Sequence, residues 1–149
     1  FRVARDVYSK LGFYKPAIMH KMMFPSLVGG GAMSSSKGNV IITSIDSPKE
    51  VRDKINKYAF SGGRDTLEEH RKYGANLEID VSYQYLKAFF EPDDGKLKKI
   101  HDDYKSGKMT SKEIKEILIE KINKCLSEHQ KRRKEAHKLI GKYLYKENK

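Results

Sequence analysis

The sequence predicts a mainly α fold, a helical bundle over residues 46–149 that follows a short α/β segment over residues 1–45. Three observations carry that expectation. Ser47-Pro48-Lys49-Glu50 has the form of a capping box with proline at the first helical position. A stripe running Ile114, Ile117, Leu118, Ile122, Cys125, Leu126, His129, Arg133, Ala136 and Ile140 keeps a period of about 3.6. Before residue 46, two short apolar runs, 16–20 and Val40-Ile41-Ile42, flank a glycine- and serine-rich loop, as strands of a sheet would.

Taken in order, Val3, Val7, Tyr8 and Leu11 share one face of a first helix that Gly12 ends. Residues 16–20 read as a short buried strand. In the helix opened by Ser47, Val51, Ile55, Tyr58 and Ala59 keep helical spacing until Ser61-Gly62-Gly63 stops it. Asp65 or Thr66 caps a short helix through Arg71, which Gly74 ends. Asp80 opens another, with Val81, Tyr85, Leu86 and Phe89 toward a core up to Pro92. Residues 93–106 form the next helix, and Thr110 or Ser111 caps the long last one. Tyr83, Tyr85, Phe89 and Phe90 read as bundle core.

Composition narrows the function classes. The chain has 149 residues and 38% hydrophobic content, enough for one domain or one and a half. No apolar run reaches the length of a membrane span, and residues 1–25 lack the apolar stretch of a secretory signal. The single cysteine, Cys125, excludes an internal disulfide, fits a reducing cytosol and reads as a buried small hydrophobe. His20, His70, His101, His129 and His137 show no paired metal-ligand spacing, so no metal site is expected. The chain opens on Phe1 inside a helical pattern, as a piece cut from a longer protein would.

The net charge of +11 is segregated: 6 basic and 1 acidic side chains over residues 1–45, 8 and 11 over 46–95, and 17 and 8 over 96–149. A basic C-terminal block beside an acidic middle fits a polyanionic partner met by particular faces. A lysine-rich solvated surface would give the same count. In Lys131-Arg132-Arg133-Lys134, Arg133 continues the inner stripe and would pair across the bundle, while Lys131 and Lys134 share an outer face able to follow an RNA backbone.

Gly29-Gly30-Gly31-Ala32-Met33-Ser34-Ser35-Ser36-Lys37-Gly38 reads as a phosphate-holding loop. Glycines allow close backbone approach, amides form an anion nest, and serines and Lys37 add donors and charge. A flexible linker has the same composition. A Walker A loop does not fit, because Ser36 stands where its second glycine belongs and Gly38 where its hydroxyl belongs. Met33-Ser34-Ser35-Ser36 matches the Met-Ser-x-Ser core of the Lys-Met-Ser-Lys-Ser signature of class I aminoacyl-tRNA synthetases.

Further motifs narrow that match: Phe1-Arg2-Val3-Ala4-Arg5-Asp6-Val7, Lys15-Pro16-Ala17-Ile18-Met19-His20, Ala59-Phe60-Ser61-Gly62-Gly63-Arg64-Asp65-Thr66-Leu67-Glu68-Glu69-His70-Arg71, and Glu128-His129-Gln130-Lys131-Arg132-Arg133-Lys134-Glu135. In order and spacing, over about residues 1 to 140, they resemble the C-terminal portion of the eukaryotic and archaeal tryptophanyl-tRNA synthetase family. The resemblance implies that residues 1–45 are the edge of a Rossmann-type catalytic domain and 46–149 an anticodon-binding domain. It implies ATP with Mg, tryptophan and tRNA-Trp as partners, a cytoplasmic location, and a homodimeric parent from which this piece would be monomeric and inactive alone.

Site residues follow from the same resemblance. Met33, Ser34, Ser35, Ser36 and Lys37 would act on the ATP phosphates, with Gly31, Met33, Ser34 and Ser36 binding ATP. The family's first signature lysine is Ala32 here, so Lys37 is the candidate to supply the cation. Phe60, Arg64 and Asp65 would read the anticodon, the ring stacking on an unpaired base and the charged pair meeting base edges. Read structurally, Phe60 would be core and Arg64 would pair with Asp65 or Glu68. The signature of the His-Ile-Gly-His type and a tryptophan pocket lie in no residue of this chain. Two other classes remain open at this stage, a stand-alone helical RNA-binding domain and an interaction domain for acidic proteins.

Overall fold

The computed structural model describes residues 2–19, 24–30 and 41–143. Its helices are α1 (Arg2–Lys10), α2 (Pro48–Tyr58), α3 (Leu67–Tyr73), α4 (Val81–Tyr85), α5 (Asp94–Lys105), α6 (Ser111–His137) and α7 (Ile140–Tyr143), with a π turn, Leu86–Phe90, continuing α4. α6 is the spine, and α2, α4, the π turn and α5 all pack against it.

Local chemistry explains the helix starts. Ser47 accepts from the Glu50 amide while the Glu50 carboxylate accepts from the Ser47 amide, a closed capping box, and Thr110 with Glu113 repeats it at α6. Thr66, not Asp65, caps α3, and Asp80 and Asp93 cap α4 and α5. α1 ends in a Schellman turn: Phe13 N–H donates to Tyr8 O at 2.9 Å and Gly12, at φ 75°, donates to Ser9 O.

The core gathers Val51 and Ile55 of α2, Val81, Tyr85 and Leu86, Ile100 and Tyr104 of α5, and Ile114, Leu118, Ile119 and Ile122 of α6. Leu27 reaches it from residues 24–30, where its carbonyl accepts from Phe60 N–H at 2.8 Å. Tyr85 Oη donates to Pro25 O at 3.1 Å, fastening the same segment.

Four expectations need correction. Residues 16–19 form irregular chain, with Pro16 and Ile18 half-buried and Ala17 and Met19 exposed, rather than a buried strand, and no strand forms among the described residues. A strand needs a neighbouring strand for its amides and carbonyls, and the described residues supply none. Phe89 is 63% exposed, because Glu91 N–H donates to Leu86 O, five residues back, and the wider turn rotates Phe89 outward while Phe90 turns partly in. Phe89 packs instead on Phe24, with ring centroids 4.6 Å apart. Cys125 is exposed, and so are His129, Arg133 and Ala136, so Arg133 crosses no bundle. The stripe continues past the last described element that covers it.

Candidate nucleic-acid interface

The chain between α2 and α3 is fixed from behind by one buried carboxylate. Asp80, 0% exposed, accepts from Gly62 N–H at 2.8 Å and Tyr104 Oη at 2.7 Å through Oδ2, and from Tyr83 N–H at 2.8 Å through Oδ1. The Tyr104 hydroxyl also lies 2.9 Å from Ser111 Oγ at the start of α6. Burial, then the adjacent Asp80 charge, pushes the Tyr104 hydroxyl well above its ordinary pKa, so it remains a donor. Asn76 N–H donates to Gly62 O at 2.8 Å, and a Cβ on Gly62 would sit 1.9 Å from Asn76 O. Only glycine fits there.

This backing leaves Phe60, Arg64 and Asp65 at the surface. Arg64 Nε donates to Gly74 O at 3.2 Å, at the end of α3, in place of the expected pair with Asp65 or Glu68. Gly74 is at φ 68° and donates to His70 O at 2.9 Å, closing α3. His70 is buried, and its Nε2 donates to Met109 O at 2.7 Å, so it is packing, as its lack of a metal partner suggested. Arg71 Nη1 donates to Gly107 O at 2.7 Å, tying α3 to the turn between α5 and α6.

Arg64 and Asp65 line a cleft of ≈ 410 Å³ together with Gly63, Glu69 and Tyr73. Phe60, 48% exposed, lines a different cavity of ≈ 420 Å³ with Val28, Ile79, Val81 and Gln84. The three residues thus share one stretch of chain but two concavities. Lys131 and Lys134 are exposed on the outer half of α6. Gly31, Met33, Ser34, Ser35, Ser36 and Lys37 lie outside the described residues.

Further along the chain, residues 43–46 are strapped to the bundle. Asp46 accepts from Thr43 N–H and Oγ1 at 3.0 and 2.6 Å and from Lys54 Nζ at 2.6 Å. Burial pushes its carboxyl up, but the Lys54 and Thr43 hydrogen bonds outweigh that and hold it below the ordinary value. Gln130 Nε2 donates to Ser44 O at 3.2 Å and Asp46 O at 3.0 Å. Among the described residues, no group of three or more His, Cys, Asp or Glu could hold a metal ion.

Residues 1–127 match the family of class I tRNA synthetases for tryptophan and tyrosine. The chain belongs to that family. A tryptophan–tRNA ligase of Sulfurisphaera tokodaii is 52% identical over 97% of this chain, and the human cytoplasmic tryptophan–tRNA ligase 49% over 91%. Among solved structures, tryptophanyl-tRNA synthetases of Giardia lamblia and Aeropyrum pernix align at TM-scores of 0.78 and 0.84. They are 45% and 32% identical and cover 89% and 99% of this chain. The chain spans about 38% of the Sulfurisphaera relative, 29% of the human one, and 33% and 41% of the two solved chains. The cleft of this synthetase segment is built from the irregular chain at residues 63–65 and from α3, and no helix of the described residues is long and apolar enough to cross a membrane.

Sequence reading missed Asp80 as the centre of a network and Glu69 and Tyr73 as cleft walls. Asp80 was legible only as a helix start, since its partners lie 18 and 24 residues away. Glu69 and Tyr73 had a signal, being four apart on α3 and therefore on one face.

Proposed function

We propose that this segment serves a cytoplasmic tryptophan–tRNA ligase, as its C-terminal portion, contributing the ATP-phosphate loop and the anticodon-reading surface. The parent reaction joins tryptophan to ATP, with Mg, as tryptophanyl-adenylate and releases pyrophosphate, then transfers the amino acid to tRNA-Trp. In this reading Met33 to Ser36 and Lys37 meet the charge that grows on departing pyrophosphate, and residues 1–45 are the edge of a Rossmann-type domain. The observation that carries the anticodon role is the presentation of Arg64 and Asp65 in an open cleft, on a backbone that Asp80, Gly62 and Tyr104 hold rigidly. A preorganised donor and acceptor are what base-edge readout of an unpaired loop needs. The family match weighs against a stand-alone binding domain.

Binding to tRNA-Trp and to an anticodon-mutated copy, followed by fluorescence anisotropy over a salt series, tests the reading. A preference for the native anticodon that persists at moderate salt is expected. Arg64→Ala should erase about 1–3 kcal/mol of that preference, the worth of a good bidentate contact, while the variant stays folded and loses only the stability of the bond to Gly74 O, about 0.5–1.5 kcal/mol. Equal binding of both RNAs that vanishes with salt would reduce the surface to nonspecific basicity. In the full-length parent, Lys37→Ala is expected to slow pyrophosphate exchange; an unchanged rate removes Lys37 from the loop chemistry.

A further inference from the structure

Glu69 and Tyr73 prolong the Arg64–Asp65 cleft along one face of α3. Neither side chain is needed to hold the fold. Tyr73 is 61% exposed, and Lys72 Nζ lies over one face of its ring, 5.0 Å from the centroid. The Glu69 carboxylate accepts no hydrogen bond from a described residue, although its amide is capped by Thr66 Oγ1.

The charges of the cleft separate two kinds of ligand. Asp65 and Glu69 stand around one guanidinium whose Nε is already engaged by Gly74 O. A phosphate there would be repelled by two carboxylates, which the guanidinium and Lys72 Nζ, at the Tyr73 end, at most offset, so the charges do not favour an anion. A neutral nucleobase meets no such repulsion. The remaining guanidinium nitrogens can donate to a ring nitrogen or carbonyl, the carboxylates accept from an exocyclic amine, and the tyrosine ring offers a plane for stacking.

We infer that Glu69 and Tyr73 complete this cleft as a pocket for one unpaired base that carries an exocyclic amino group, an extension that rests on the anticodon reading above. Tyr73 stacks on the base, and Glu69 joins Asp65 as an acceptor for its amine. Uracil is rejected, because its carbonyl lone pairs would face the carboxylates where cytosine places N–H donors. Glu69 is therefore a specificity-determining residue, and Tyr73 contributes affinity with little discrimination.

The test uses this chain and a labelled anticodon stem-loop with the CCA anticodon, in which each cytosine is replaced by uracil in turn. The position at which replacement no longer matters in Arg64→Ala identifies the base held in the cleft. At that position the wild type should prefer cytosine by about tenfold or more. Glu69→Gln should shrink the preference severalfold, mainly by improving uracil binding, since an amide can turn either a donor or an acceptor to the base. Tyr73→Ala should weaken both RNAs about fivefold or more, and Tyr73→Phe should restore them. Circular-dichroism melts establish that each variant is folded. If the wild type discriminates and Arg64→Ala does not, yet Glu69→Gln and Tyr73→Ala behave as wild type, the pocket is wrong and the anticodon reading stands. If the wild type binds all loops alike, the anticodon reading fails and the pocket falls with it.

Discussion

The two halves of α6 continue one stripe and end in opposite surroundings. Ile114, Leu118, Ile119 and Ile122 are buried among α2, α4 and α5, whereas Cys125, His129, Arg133 and Ala136, at the same spacing, face solvent. A period of 3.6 identifies which residues share a helix face; whether another element covers that face is decided by the length and placement of its neighbours. α1 makes the same point, since Val3, Val7 and Leu11 share a face and all are exposed.

The sharpest way to break this contrast is truncation on each half. Leu118→Ala should cost about 2–5 kcal/mol in urea unfolding, through lost burial plus a cavity, whereas Arg133→Ala should stay within about 0.5 kcal/mol. Comparable losses at both sites would mean that the outer half is covered after all. A smaller effect is expected where the outer half meets residues 44–46. Because the folded Asp46 carboxyl sits below its ordinary value of 3.8, its contribution to stability is complete well above that value and is lost as pH falls through and below it. Unfolding midpoints at pH 7 and pH 3 should therefore differ less in Lys54→Met than in wild type; an equal difference would show that the Lys54–Asp46 pair is not the source. The least effect on stability is expected for Lys131→Ala with Lys134→Ala, within about 0.5 kcal/mol. If these lysines follow an RNA backbone, the double variant should also lower the salt slope of RNA binding by about one per lost phosphate contact. An unchanged slope would leave them as solvated charge.

Legibility followed the range of the interactions. Ser47 with Glu50 and Thr110 with Glu113 are complete within four residues, so the start of α2 could be read directly and that of α6 to within one residue, Thr110 or Ser111. Gly12 and Gly74 were readable as helix ends because left-handed backbone favours glycine. The π turn was hidden: no residue of Leu86–Phe90 announces a wider turn, and that register alone decides that Phe89 points outward. Helical spacing places Cys125 inside, whereas no described residue covers it and it is exposed. At the cleft, Arg64 and Asp65 were legible through their motif, while the support given by Asp80, Tyr104 and Ser111 required the chain to fold back on itself.

The Gln130 amide reaches carbonyls 84 and 86 residues earlier, at Asp46 and Ser44. Closing a loop of that size is opposed by chain entropy and is rewarded only after the intervening helices have docked. Those contacts belong to the late side of the folding barrier, and Gln130→Ala should accelerate unfolding while leaving the refolding rate almost unchanged. In native-state hydrogen exchange, the segment around Asp46 should then open with less free energy than α2, which it precedes by a single residue.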